Sequence, residues 1–174
     1  MDKQRLIAFA QDIIRIRSMS GEEKAVVTKI AAEMTALGFD KVWVDDYGSV
    51  IGVIDGEKPG KTLLMDGHCD IVDARAEDWK HDPFAAVIDD GFLYGRGVAD
   101  MKGPLAAMIY AAAGVDRSKL AGRVAVSASV LEEVMEGVAL QKVMDVIKPD
   151  GVIIGESTNF NLNRAGRGRA EMVV

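Results

Sequence analysis

The chain has 174 residues, of which 49% are hydrophobic and 28% charged, a balance that supports a folded core and excludes a disordered chain. The formal charge of −6 argues against a nucleic-acid-binding surface, and a single cysteine excludes an internal disulfide and fits a reducing compartment. The longest apolar run, Leu105 to Val115, is too short to span a bilayer at about 20 residues. Met1-Asp2-Lys3-Gln4 begins no signal peptide, so the expectation is a cytoplasmic protein with no nucleic-acid and no membrane partner.

Leu6, Ile7, Ala10, Ile13 and Ile14 recur at helical spacing and predict an amphipathic helix over 3–17. Ser20-Gly21-Glu22-Glu23 has the form of a capping box, in which the hydroxyl takes a first-turn amide and Glu23 reaches back. The helix it opens carries Val26, Val27, Ile30, Met34 and Leu37 on one face, and Gly38 stops it. Strands at 41–45 and 49–55 flank a turn at Asp46-Tyr47-Gly48. Glu57–Gly60 reads as a polar turn before a strand at 61–66, whose apolar run breaks off at Asp66-Gly67. Residues 71–84 read as a surface loop packed down by Trp79, Pro83 and Phe84. Ala85–Ile88 and Phe92–Tyr94 flank Asp89-Asp90-Gly91 as a hairpin. Pro104 suits the start of a small-residue helix at 104–113, which Gly114 ends. A strand at 124–131 follows, then a helix marked by Leu140, Val143, Met144 and Ile147 and stopped by Pro149. A short strand at 152–154 comes next, and the tail from Asn163 begins one more. Strands alternating with helices indicate an α/β fold with a largely parallel sheet covered on both faces.

In open α/β sheets, ligands bind beyond the carboxyl ends of the strands. His68, the pair Glu132-Glu133, and Glu156 all fall at such ends, and Asp100 lies in the loop before a helix on the same edge. One imidazole and four acids converging without a counter-charge would repel each other, and a cation removes the conflict. The donors are oxygen-rich with one nitrogen, and a single Asp can bridge two ions. That suits a two-metal centre with ions about 3.5–4 Å apart. Asp70, two residues after His68, is placed to bond the other ring nitrogen and fix its orientation.

Four stretches carry a family resemblance: Gly67-His68-Cys69-Asp70, Tyr94 to Gly103, Leu131-Glu132-Glu133, and Gly155-Glu156-Ser157-Thr158. In that order they resemble the di-zinc metallopeptidases and deacylases that include acetylornithine deacetylase, succinyl-diaminopimelate desuccinylase, aminoacylase and glutamate carboxypeptidase. Within that family the Arg-Gly-Arg-Ala-Glu stretch looks most like the peptidase-like members, some linked to selenium metabolism. The resemblance implies a three-layer αβα zinc-exopeptidase-like catalytic domain with a largely parallel, mixed sheet, incomplete at the C-terminus. Residues 1–163 would be the N-terminal part of that domain. Residues 164–174 would be a linker and the first strand of a dimerisation domain. His68 and Glu156 would bind one metal, Glu133 the other, and Asp100 would bridge. Glu132 would be the general base and Asp70 would orient His68. The ions would be zinc, with cobalt or manganese also suited to a carboxylate-rich site. The substrate would be a small peptide or N-acyl amino acid, and the full-length form a homodimer.

The resemblance also exposes a deficit. Family members are about twice as long and bring two further histidines, whereas this chain has only His68 and His81. The implied state of this chain is an inactive or partial form of an amide-bond hydrolase. The alternative is a non-catalytic metal-binding or interaction module. A nucleotide-binding domain is a weaker rival, because Asp100 stands where the dinucleotide fingerprint needs its third glycine. Cys69 reads as a buried thiol, His81 as a loop residue, and Arg164, Arg167 and Arg169 as a solvated linker or a carboxylate site.

Overall fold

A computed structural model describes residues 2–165; most of the expected linker and strand at 164–174 lies outside the described residues. Helix α1 (Lys3–Arg15) starts where the Asp2 carboxylate accepts hydrogen bonds from the Gln4 and Arg5 amides. It buries Phe9, Ala10, Ile13 and Ile14, while Ile7 stays exposed. Helix α2 (Lys24–Ala36) buries Val26, Val27, Ile30 and Met34 and ends before Gly38, which adopts the left-handed conformation.

The expected capping box at Ser20–Glu23 does not form. No side chain caps α2. Ser20 Oγ donates to Asp70 Oδ2 at 2.7 Å, and Glu23 Oε1 accepts from the Leu131 amide at 3.0 Å. The reason is burial: Asp70 and Glu23 are withdrawn from water and need internal partners, whereas first-turn amides at a surface can bond to solvent.

Strands β1 (Lys41–Val44) and β2 (Val50–Asp55) form an antiparallel hairpin. Asp45 Oδ1 closes it by accepting from the amides of Tyr47, Gly48 and Ser49. Strand β3 (Lys58–His68) is longer than expected at both ends. Glu57–Gly60 is not a free turn, because the chain from Lys58 already pairs with the next long strand, with a register shift between Lys58 and Lys61. Nor does the strand break at Asp66-Gly67; pairing continues to His68. A small hairpin, β4 (Val87–Asp89) and β5 (Phe92–Tyr94), turns through Asp90 and Gly91, both at positive φ. Helix α3 (Gly103–Ala113) has Pro104 in its first turn. Strand β6 (Ala121–Ser129), helix α4 (Val138–Ile147) and strand β7 (Gly151–Ile154) complete the order.

The main sheet runs β1-β2-β6-β3-β7. It is mixed: β3 is parallel to β6 and to β7, while β2 is antiparallel to both β1 and β6. Alternation along the strands builds three layers. Val50, Ile54, Met65, Val124 and Val126 join the cluster formed with Ile13, Ile30, Leu105 and Ile109 of α1, α2 and α3. Ile51, Val53, Leu64 and Ala125 meet Val143 and Ile147 of α4 on the other face. The parallel register sets the C-terminal ends of β3, β6 and β7 side by side: His68 lies opposite Ser129, and Asp66 opposite Ile154. No helix among the described residues is long and apolar enough to cross a membrane.

Candidate metal centre

Each candidate side chain is delivered by the end of a strand or by the turn before α3. His68 closes β3 and is 2% exposed. Its Nδ1 lies 3.0 Å from the main-chain oxygen of Asp70 and 3.3 Å from Asp70 Oδ1. The ring is therefore held by the backbone carbonyl as well as by the carboxylate expected from the sequence. A proton on Nδ1 leaves Nε2 facing the opening. There Nε2 is 2.9 Å from Asp100 Oδ1, 3.7 Å from Glu156 Oε1 and 3.8 Å from Glu132 Oε2.

His68, Asp100 and Glu133 each place one ligand atom within 4.8 Å of the other two. Glu156 and Glu132 border this group from the ends of β7 and β6. All six residues singled out in the sequence thus meet at one edge of the sheet. Asp100 does not cap α3, whose first turn has no side-chain cap. It sits instead in an irregular turn after Gly97, joined to Met101 by a cis peptide bond. Met101 is fully buried, and its terminal methyl packs against two glycines. A Cβ on Gly67 or on Gly155 would come within 2.5 or 2.9 Å of its terminal methyl.

Asp70 has wider reach than ring orientation. It is 0% exposed, and its oxygens accept from the Glu132 amide at 3.2 Å, the Glu133 amide at 3.1 Å and Ser20 Oγ at 2.7 Å. One carboxylate therefore fixes the imidazole on β3 and the turn that presents both glutamates.

Three residues of this neighbourhood escaped the sequence reading. Asp66, 4% exposed, accepts from Ser127 and from Ser129 (2.6 Å) on the adjacent strand. Burial raises its pKa, against the pull of those two hydroxyls. Lys102 is 0% exposed, and its Nζ donates to the carbonyls of Ile13 and Ile16 at the end of α1. Burial pulls the Lys102 pKa down to about 8. Glu23 is the third. Ser127 and Ser129, alternate residues at the end of β6, with Ser127 opposite Asp66 on β3, were the one available signal for Asp66.

The electrostatics are those of a crowded anionic cluster. Burial works against a charged His68, but hydrogen bonds to Asp70 and Asp100 and the charges of Asp70 and Glu132 overcome it and hold the imidazole up at about 10. Burial and the neighbouring acids raise Glu132, Glu133 and Glu156, with His68 pulling back on each, Arg96 on Glu133 and the Ser157 amide on Glu156. Burial would also raise Asp70, but hydrogen bonds from His68, Ser20 and the Glu133 amide bring it below the usual range. Among the described residues, no lysine or arginine forms an ion pair with Asp100, Glu132, Glu133 or Glu156. The donor set therefore fits divalent cations, which replace repulsion between the acids by shared coordination. A cavity of about 360 Å³ opens beside the cluster, lined by Asp66, His68, Met101, Ser129, Glu132 and Glu156 among others.

A three-layer α/β sheet that gathers an imidazole and several carboxylates at its C-terminal edge defines a class of metal-binding hydrolase folds. Comparison places the chain within it: residues 64–168 match the model of the peptidase family M20/M25/M40. The chain belongs to that family. It is 35% identical over 169 residues to the uncharacterized protein YgeY of Escherichia coli, covering 94% of this chain and 41% of that protein. It is also 41% identical over 108 residues to a succinyl-diaminopimelate desuccinylase of Acidiphilium cryptum, covering 62% of this chain and 29% of the relative. The M20 family metallo-carboxypeptidase Sso-CP2 of Sulfolobus solfataricus has the same fold, with a TM-score of 0.74, 26% identity, and coverage of 90% of this chain and 38% of that one. The chain thus spans about two fifths or less of the length of these relatives.

Proposed function

We infer that this chain supplies the metal-holding and proton-transferring half of an amide-bond hydrolase acting on small peptides or N-acyl amino acids. The observation that carries the reading is the meeting of His68, Asp100 and Glu133 within 4.8 Å, with Glu132 beside them and, among the described residues, no lysine or arginine ion-paired to these acids. His68 and Glu156 would hold one divalent ion and Glu133 a second, with Asp100 shared between them. Zinc is the family expectation, and cobalt and manganese suit the same donors. When bound, such ions polarise a carbonyl and make water a nucleophile at neutral pH. Glu132 takes a proton from the attacking water and returns it to the amine nitrogen as the C–N bond breaks. Asp70 holds His68 and the Glu132–Glu133 turn in register while this happens. The full-length enzyme is read as a cytoplasmic homodimer.

A cobalt(II) titration followed by visible absorption tests the assignment. Uptake is expected for the 174-residue chain, weaker in Asp100→Asn and lost in His68→Ala. Full-strength uptake by His68→Ala would remove the reading.

One observation favours a second reading, a non-catalytic metal-binding module. His81, the only other histidine, is engaged elsewhere: its Nε2 lies 3.2 Å from Asp89 Oδ2 and its ring packs edge-on against Tyr94. Robust hydrolysis of N-acyl amino acids by the metal-loaded 174-residue chain would eliminate this alternative.

A further inference from the structure

Three of the four segments that carry the candidate ligands share one neighbour, the connection between α1 and α2. At the end of β3, Ser18 Oγ donates to the Cys69 carbonyl at 2.7 Å, the Ile71 amide donates to Ser18 O at 2.9 Å, and Ser20 Oγ donates to Asp70. Beside Asp100, Lys102 Nζ donates to Ile16 O at 2.8 Å. The third segment, Leu131–Glu133, is reached from this connection by one side chain, that of Glu23.

Glu23 is 6% exposed and stands immediately before α2. Its Oε1 accepts the Leu131 amide at 3.0 Å. Leu131 has φ of 61°, a left-handed backbone that a leucine rarely adopts without help from its surroundings. The next two amides, of Glu132 and Glu133, point to Asp70. Three successive N–H groups thus end on two buried carboxylates supplied by different parts of the chain. Without Glu23, the first of them loses its acceptor at the strained residue. The turn can then leave the left-handed region, and the two glutamates swing with it.

We propose that Glu23 is a positioning residue of the centre: it holds Leu131 in its left-handed conformation and so aims Glu132 and Glu133. The aiming rests on the reading of those glutamates as base and ligand; the brace on Leu131 stands on the geometry alone.

The test uses the 174-residue chain and two measurements, residue-resolved amide hydrogen exchange without metal and cobalt(II) titration. Glu23→Ala is expected to speed exchange at Leu131, Glu132 and Glu133 about tenfold, the loss of one buried hydrogen bond, and to weaken cobalt binding by a similar factor. Glu23→Gln retains an acceptor oxygen, so exchange and cobalt affinity stay close to those of the unsubstituted chain. Its Leu131 amide proton moves upfield because the acceptor has lost its charge, a readout that does not depend on Glu23→Ala folding. Glu33→Ala is the control on the same helix; it removes the acceptor of Arg5 and Tyr110 and should lower the melting temperature without selective change at residues 131–133. Unchanged exchange in Glu23→Ala, an equal rise in Glu33→Ala, or an unmoved Leu131 proton in Glu23→Gln would overturn the brace. If the unsubstituted chain takes up no cobalt, the metal reading fails and the aiming role falls with it. Normal uptake with matching affinity in Glu23→Ala removes the aiming role alone.

Discussion

Glu132→Gln, placed in a chain joined to the C-terminal remainder that its relatives carry, is expected to lower kcat by about 10²–10⁴-fold while bound metal stays near stoichiometric. The carboxamide is nearly isosteric but cannot take a proton from water. Glu132 Oε2 stands 3.8 Å from His68 Nε2, at the border of the candidate ligand group. In the role proposed for it, as base and not ligand, its loss should spare the ions. Metal analysis and kcat measured on one preparation check the claim, and retained turnover would strip Glu132 of the role of base.

The second large effect is expected at Asp70. Asp70→Ala removes the carboxylate partner of a buried imidazole, leaving only the main-chain oxygen, and leaves two main-chain amides and the Ser20 hydroxyl without their acceptor. Breaking a buried, hydrogen-bonded charge pair in this way costs about 3–5 kcal/mol, a large share of ordinary domain stability. Urea denaturation reads it as a lower midpoint at unchanged slope. Cobalt affinity should fall by at least about 10–100-fold, because the imidazole and the glutamate turn lose their common support. The pH dependence has a definite sign. The folded-state pKa of Asp70 is depressed, so its stabilisation is present above the unfolded value of about 3.9 and is lost as pH falls through the lower folded one. Asp70→Asn should flatten that part of the acid limb. An Asp70→Ala chain as stable as the original at neutral pH would contradict the role given to this carboxylate.

How much of this was legible in the sequence differs by residue. The proximity of His68, Glu133 and Glu156 was legible because a parallel sheet puts the ends of its strands on one edge, and that of Asp100 because the turn before α3 opens on the same edge. The hydrophobic stripes of α2 and α4 translated equally well, since helical periodicity is local. What failed was local pattern without tertiary context. Ser20 and Glu23 match a capping box, yet buried acceptors and donors 50 and 108 residues away claim both side chains. Lys102 had no reading of its own in the sequence, and only the fold shows it inserted beneath the end of α1. Glu57–Gly60 looked like a turn because two charged residues precede a Pro-Gly pair; the neighbouring strand made it β structure from Lys58 on.

Cys69 sits between His68 and Asp70 on the last turn of chain beyond β3, with no exposed surface. Burial, reinforced by the negative charges of Asp70 and Glu23, drives its pKa far up, so the reactive thiolate is suppressed in the closed protein. It is also the only sulfhydryl in the chain. A thiol reagent can therefore label the molecule at one place, and only when the strand end that carries the imidazole comes loose. The rate of that labelling counts the openings of the centre directly, so the protein carries its own clock for how long the site stays shut.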